Sequence, residues 1–477
     1  MNSPLQTDLY QLTMAAAYWQ AGTADHESVF HLFFRRLPFH GGYAIAAGLE
    51  PALQWLEDFR FRTEDLDYLA SLRTRNDHPL FKDDFLTYLS DLKLELDIDA
   101  VPEGSAVFAH EPLLRVQGKI LHAQLAETAL LNLINFQTLV ATKAARTCHA
   151  AAGTPVFEFG YRRAQGPDGG LTASRAAWIG GCEGTSNVLA GQRFGIPIRG
   201  THAHSWVMSF DDEQEAFDRY ADAMPDNSTL LVDTYDTLEG VEKAIVTARK
   251  LREQGHELSG IRLDSGDLAW LSQQARAKLN AAGFPGVKIV ASNDLDEHLI
   301  ESLRHQEAKI DVWGVGTNLV TAADQPALGG VYKLAALRRD DGTWQPRIKL
   351  SEQTAKSSIP GRLQVRRFIE HGKFIGDAIY DVDSSFNGET TIIDPADPIR
   401  TKEIPVGTTA TELLEPVMKA GSRIAPAETL ETIRNRCQEN LAALHPGILR
   451  LKNPHAYPAG LEEGLHERRE KMLGELR

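Results

Sequence analysis

The chain has 477 residues, 43% hydrophobic and 24% charged, which is apolar enough to bury a core over most of its length and excludes a mainly disordered protein. Its 50 basic and 65 acidic residues give a formal net charge of −15, a poor general partner for nucleic acid or an anionic membrane face. Three widely spaced cysteines, Cys148, Cys182 and Cys437, form no CxxC and no secreted-scaffold pattern, so a reduced, cytoplasmic protein is expected.

The first residues, MNSPLQTDLYQLTM, lack a basic stretch and an apolar run, and no signal peptide is read there. Residues 28–37 read as a strand followed by a Pro/Gly turn at 38–42, and 53–59, 64–73 and 81–92 as helices. The uncharged stretch 128–142 contains two Asn and a Gln and falls short of the roughly 20 apolar residues of a membrane span, so it reads as a buried helix. From about 155 a rhythm begins. Short β-rich runs at 156–159, 196–199, 229–232, 260–263, 287–291 and 310–314 alternate with helical periodicity at 185–194, 213–223, 238–254, 267–282 and 294–305. Strands alternating with helices argue for βα units on a parallel sheet. Beyond 340 the chain turns β-rich (347–350, 363–370, 390–393), then helical at 427–442 and 461–477.

The residues after each run carry the functional signal: Glu158-Phe159-Gly160, Thr201–Ser205, Asp233, Asp264-Ser265-Gly266-Asp267, Ser292-Asn293-Asp294 and Gly316-Thr317-Asn318. Such residues recurring at successive strand ends favour an irregular (β/α) TIM-like barrel, whose strand ends share one face, over an open doubly wound sheet. The expected layout is an N-terminal α/β domain over 1–140, an α/β barrel over 141–340 and a C-terminal region over 341–477 packing on both.

Within EFGYRRAQGPDGG (158–170), aromatic Phe159 and Tyr161 stand beside Arg162 and Arg163. Guanidinium groups pair with phosphate or carboxylate, and aromatic faces stack on flat heterocycles, which suits a planar anionic ligand; a plain surface turn is the alternative. GTHAHSWVMSF (200–210) holds two histidines two apart, too few for a metal site. His204 opens a helix, where imidazole can act as a nucleophile toward phosphorus; a lone core histidine is the alternative. Asp233, Asp264 and Asp267 are strand-end acids able to hold Mg²⁺ indirectly or to bind ribose hydroxyls, although Asp267 serves equally well as a helix N-cap. The glycines of GVGT (314–317) suit a phosphate cradle. The residues by themselves reach a barrel enzyme for a phosphorylated sugar and a flat acid, and do not select its reaction.

A dozen segments in order, from TDLYQLTM (7–14), FFRRLP (33–38) and GGYAIAAGLE (41–50) through EFGYRRAQGPDGG, EGTSNVLAG, GTHAHSWVMSF, LVDTYDT, IRLDSGDL, SNDLDE, GVGTN and GGVYKL to KLSEQTAKSSIPGRLQVRR (349–367), resemble nicotinate phosphoribosyltransferases. The resemblance implies a type II phosphoribosyltransferase that joins nicotinate to 5-phosphoribosyl 1-diphosphate, giving nicotinate mononucleotide and diphosphate for NAD salvage. It further implies coupled ATP hydrolysis that classes the enzyme as a ligase, Mg²⁺, and a homodimer with shared active sites. By the same resemblance His204 is the histidine phosphorylated by ATP, while Phe159 and the partner copy's Tyr10 sandwich the pyridine ring. Arg262 and Thr201 lie near the nicotinate carboxylate. Arg162, Asp233 and Asp264 meet pyridine, ribose or diphosphate with Mg²⁺, no direct metal ligand being assigned, and Gly316 and Thr317 bind the sugar phosphate. Nicotinamide-using relatives carry an Asp where this chain has Ser186; Ser does not repel a carboxylate, which favours the acid. A barrel aldolase would need a strand-end lysine, which is absent here, and a catalytically dead scaffold would be expected to lack His204, Arg262 or the acids.

Overall fold

The computed structural model describes residues 3–350, 358–386 and 389–476. The middle of the 349–367 motif, 351–357, lies outside the described residues. Contacts divide the chain into two units, one made of the residues up to Leu139 with those from Ala327 onward, the other Val140–Pro326.

The first unit carries two large sheets and a two-stranded pair, Ala44–Ile45 with Ala106–Val107. Glu27–Phe34 is buried at nearly every position, including both faces, as a central strand must be. It pairs antiparallel with Leu114–Lys119 on one side and with Gly330–Arg338, from much later in the chain, on the other. Leu96–Ala100, Glu415–Lys419 and Ser422–Arg423 extend the sheet at one end, and Trp344–Pro346 closes the other. This last strand lies just before the expected 347–350. Gly342 at φ 84° turns the chain tightly, with Arg339 N–H donating to Thr343 O, so pairing starts at Trp344. The second sheet is ordered Thr401–Ile404, Thr390–Ile393, Ala459–Leu461, Lys373–Asp381, Leu363–Glu370, Thr409–Glu412.

His31, on the central strand, is buried, and its Nε2 accepts the backbone N–H of Leu363 at 3.2 Å. Burial, then the nearby Arg115 charge, lowers its pKa from 6.5 to about 3. The unfolded chain therefore takes up this proton first, and stability falls as pH drops from 6.5 toward 3. His31→Gln keeps an acceptor without a titrating ring. Urea unfolding should show wild type losing about 2 kcal/mol more than this variant between pH 7 and pH 5; equal losses would contradict it.

The second unit carries a six-stranded sheet ordered Gly184–Thr185, Val156–Glu158, Val312–Val315, Lys288–Ala291, Gly260–Leu263, Thr229–Leu231, and every pairing in it is parallel. Helices link the strands. Thr237–Glu253 buries Val241, Ala244, Ile245, Ala248 and Leu251 along one stripe, the helical period of a face laid on a sheet. Asp236, Asp267 and Asp296 cap successive helices by accepting from Glu239, Trp270 and Leu299 N–H; Asp267 is thus a cap. The expected strand at 196–199 is reduced to a bridge between Ile198 and Thr185, because Pro197 has no N–H to extend a ladder. The sheet as paired is an open arc, and the described residues show no backbone ladder closing it into a barrel. No helix among the described residues is long and apolar enough to cross a membrane.

Candidate active site

The carboxyl ends of the parallel strands surround a cavity of about 280 Å³ lined by Phe159, Arg162, Ser186, Thr201, Arg262, Asp264, Gly316 and Thr317 among others. Small residues make room for its aromatic wall. A Cβ on Gly314 would come within 2.8 Å of the Phe159 ring, and one on Gly160 within 2.5 Å of Val320. Both positions demand glycine because the ring and the neighbouring turn occupy that volume. Behind Phe159, the fully buried Glu158 carboxylate accepts from Gly160 N–H, Ser174 Oγ and Thr185 Oγ1. It therefore pins the turn leading to Arg162 and the strand leading to Ser186 to a single group.

Arg262 organises the opposite wall. Its Nε donates to Ser292 Oγ at 2.9 Å, Nη1 to Thr201 Oγ1 at 2.8 Å and Nη2 to Asp264 Oδ1 at 2.9 Å. Ser292 in turn donates to Asp264. Burial alone would raise the Asp264 pKa; hydrogen bonds from Ser292 and Arg262 and the Arg262 charge outweigh it, so the carboxyl titrates below its ordinary range. Asp233 stands behind, its Oδ2 accepting from Asp264 N–H at 2.8 Å and Ser265 Oγ at 2.7 Å. Its Oδ1 is buried without a hydrogen-bond partner among the described residues.

His204 opens the short helix His204–Met208. Its Nδ1 lies 3.1 Å from Thr234 Oγ1, and its Nε2 is 3.8 Å from Asp264 Oδ2. Its side chain is 40% exposed. Across the cavity the lip is formed by Asn293 and Asp294, at φ 86° and 42°, a left-handed region that Asn and Asp enter more readily than other side chains. Asn318 Nδ2 donates to Asp294 O at 2.8 Å and so ties this lip to the Gly316-Thr317 turn. Arg162 and Arg163 have no ion-pair partner among the described residues, leaving two guanidinium groups available to an anion.

Eight of the expected residues thus line one cavity, with Asp233 behind it and His204 beside Asp264. Tyr10 belongs to the other unit, where its side chain is exposed. Ser292 and Arg163 also line the cavity; both stood in motifs read from sequence, but nothing in the spacing showed that Ser292 bridges Arg262 and Asp264.

Three family models cover nearly the whole chain: the nicotinate phosphoribosyltransferase N-terminal domain over 5–135, the family itself over 155–358 and the C-terminal domain over 362–469. A nicotinate phosphoribosyltransferase of Bacillus subtilis is 42% identical, covering 99% of this chain and 96% of that protein. One from Mycobacterium tuberculosis is 41% identical over 99% of this chain and 93% of its own length. The crystal structure of human nicotinic acid phosphoribosyltransferase matches with a TM-score of 0.85 at 33% identity, covering 99% of this chain and 100% of that one.

Proposed function

This chain belongs to the nicotinate phosphoribosyltransferase family, and we propose that it transfers the phosphoribosyl group of 5-phosphoribosyl 1-diphosphate to nicotinate in NAD salvage, in the cytoplasm. The observation that carries this reading is Arg262, tied to Thr201, Ser292 and Asp264 on the wall of a cavity that also presents an aromatic face, two free guanidinium groups and a glycine turn. In this reading Phe159 faces the pyridine ring, and Arg262 with Thr201 meets the carboxylate, Ser186 adding no negative charge nearby. Gly316 and Thr317 take the sugar phosphate through backbone N–H groups. The pyridine nitrogen lone pair forms the new bond to C1 of the ribose while the C1–O bond to diphosphate breaks, the electron pair leaving with diphosphate. No proton moves, so positioning and charge stabilisation account for the catalysis.

Mg²⁺ fits the acidic pair. The buried, unpartnered Oδ1 of Asp233 beside the ionised Asp264 offers the hard oxygens that this ion takes. Asp233 and Asp264 would hold it, and when bound it supplies charge neutralisation for the departing diphosphate. The parallel arc is read as part of an irregular (β/α) barrel, with residues 197–199 continuing it past Gly184–Thr185 through Thr185 N–H to Pro197 O and Arg199 N–H to Thr185 O. Exposed Tyr10 suits a homodimer in which each copy completes its partner's site.

ATP coupling runs through His204. With Nδ1–H donating to Thr234 Oγ1, the Nε2 lone pair attacks the γ-phosphorus, the bond to the bridging oxygen breaks and ADP leaves; water later hydrolyses the phosphohistidine to phosphate. Diphosphate and nucleotide release from nicotinate should be stimulated by ATP in wild type. His204→Ala should retain a basal rate but lose the stimulation and all acid-labile ³²P label. A variant that ATP still stimulates would sink this assignment.

A further inference from the structure

Thr229–Leu231 pairs with Gly260–Leu263 along one edge. On its other edge the described residues offer no strand, and the backbone N–H of Leu231 is met by Nε2 of His202 at 3.1 Å. A backbone N–H can only donate, so Nε2 must be the bare, accepting nitrogen. The ring proton of the neutral imidazole then sits on Nδ1, whose partner at 3.3 Å is the carbonyl oxygen of Ala203, a group that can only accept. Both nitrogens are thereby assigned. The ring is 8% exposed and lies edge-on to Tyr220, centroids 4.7 Å apart. Burial disfavours a second proton on the ring, and the Arg262 charge adds to that effect.

The ring stands where a neighbouring strand would have placed a carbonyl. It also sits between two residues of the site: Thr201, which accepts from Arg262, and His204, which meets Thr234. The His202 carbonyl itself lies 3.5 Å from Arg262 Nη1. We propose that His202 is a positioning residue for phosphoribosyl transfer: held as its Nδ1–H tautomer, it fastens the 201–204 loop to the edge of the parallel sheet and so sets Thr201 and His204 against Arg262 and Thr234. The link to catalysis rests on the function proposed above; the tautomer and the fastening do not.

Three variants separate the accepting nitrogen from the bulk of the ring. His202→Gln can bring an amide oxygen to the place of Nε2, His202→Asn reaches only the place of Nδ1, and His202→Phe keeps the contact with Tyr220 but accepts nothing. KM for nicotinate should rise on the order of tenfold in the Asn and Phe variants with a much smaller change in kcat, as expected for lost ground-state placement. ATP stimulation should shrink alongside, and Gln should restore most of both. Asn and Phe variants that match wild type, or a Gln variant as impaired as they are, would overturn the proposal. Nitrogen-15 spectra of histidine-labelled wild type at pH 7.5 give a reading independent of turnover. His202 should show a protonated Nδ1 and a bare Nε2, and a ring protonated at Nε2 would overturn the assignment even if the variants failed to fold. An inactive wild type with the expected tautomer would count against the proposed reaction and leave the fastening intact.

Discussion

Replacing Arg262 with alanine is expected to lower kcat/KM for nicotinate about a thousandfold, roughly 4 kcal/mol of transition-state stabilisation. One guanidinium holds Thr201, Ser292 and Asp264 at 2.8–2.9 Å, and its removal acts in three ways at once. The cation proposed to meet the substrate carboxylate is lost, Thr201 and Ser292 lose the donor that orients them, and the half-buried Asp264 loses its guanidinium partner. Charge-assisted hydrogen bonds contribute about 1.5–3 kcal/mol each, so one bond could not account for the loss, while two acting together do. Arg262→Lys should recover little, because an ammonium group cannot span three partners from one planar fork. Steady-state kinetics with nicotinate varied at saturating 5-phosphoribosyl 1-diphosphate decides it. A lysine variant within threefold of wild type would show that charge alone matters and that the fork is incidental.

The second large effect is on stability. Glu297, at the start of the helix Glu297–His305, meets Lys143 Nζ at 2.8 Å and Arg146 Nε at 3.0 Å, with all three side chains at most 2% exposed. Burial by itself would raise the Glu297 pKa, but the two cations overcome it, so the carboxylate is ionised. Glu297→Ala leaves two buried cations without this anion and should cost about 4 kcal/mol. For a unit of this size that corresponds to a fall in Tm of about 10 °C. The linkage has a definite sign. A depressed carboxyl pKa contributes stability above the usual carboxylate range and loses it as pH falls through the lowered value. The difference between wild type and variant should therefore be full at pH 7 and narrow only in strong acid. A calorimetric scan at pH 7 with a Tm change under 3 °C would contradict it.

Much of the second unit was legible because its strands are short apolar runs punctuated by Gly, Asp and Ser. Gly260–Leu263 and the helix Glu213–Ala223 fall where periodicity puts them. Gly184–Thr185 could not be read in this way, having no apolar run. It is a strand because Val156–Glu158 pairs with it and the Glu158 carboxylate takes the Thr185 hydroxyl. The pairing of Glu27–Phe34 with Gly330–Arg338 was equally invisible, since contacts between residues some three hundred positions apart leave no local pattern. At the site, residue types and their strand-end positions were readable one by one. Their mutual geometry was not. Neither the three-way hold of Arg262 nor the tautomer of His202 follows from spacing, because both depend on which side chains the parallel register places side by side.

In the proposed reaction this cavity takes a pyridine acid and joins it to a phosphoribosyl group. The most direct measurement offers the purified chain equal concentrations of nicotinate and nicotinamide with 5-phosphoribosyl 1-diphosphate, Mg²⁺ and ATP, and follows both possible mononucleotides by mass spectrometry. Nicotinate mononucleotide should accumulate with an equal amount of diphosphate while the amide product stays at background. Preferential formation of nicotinamide mononucleotide, or of neither product, would contradict the account.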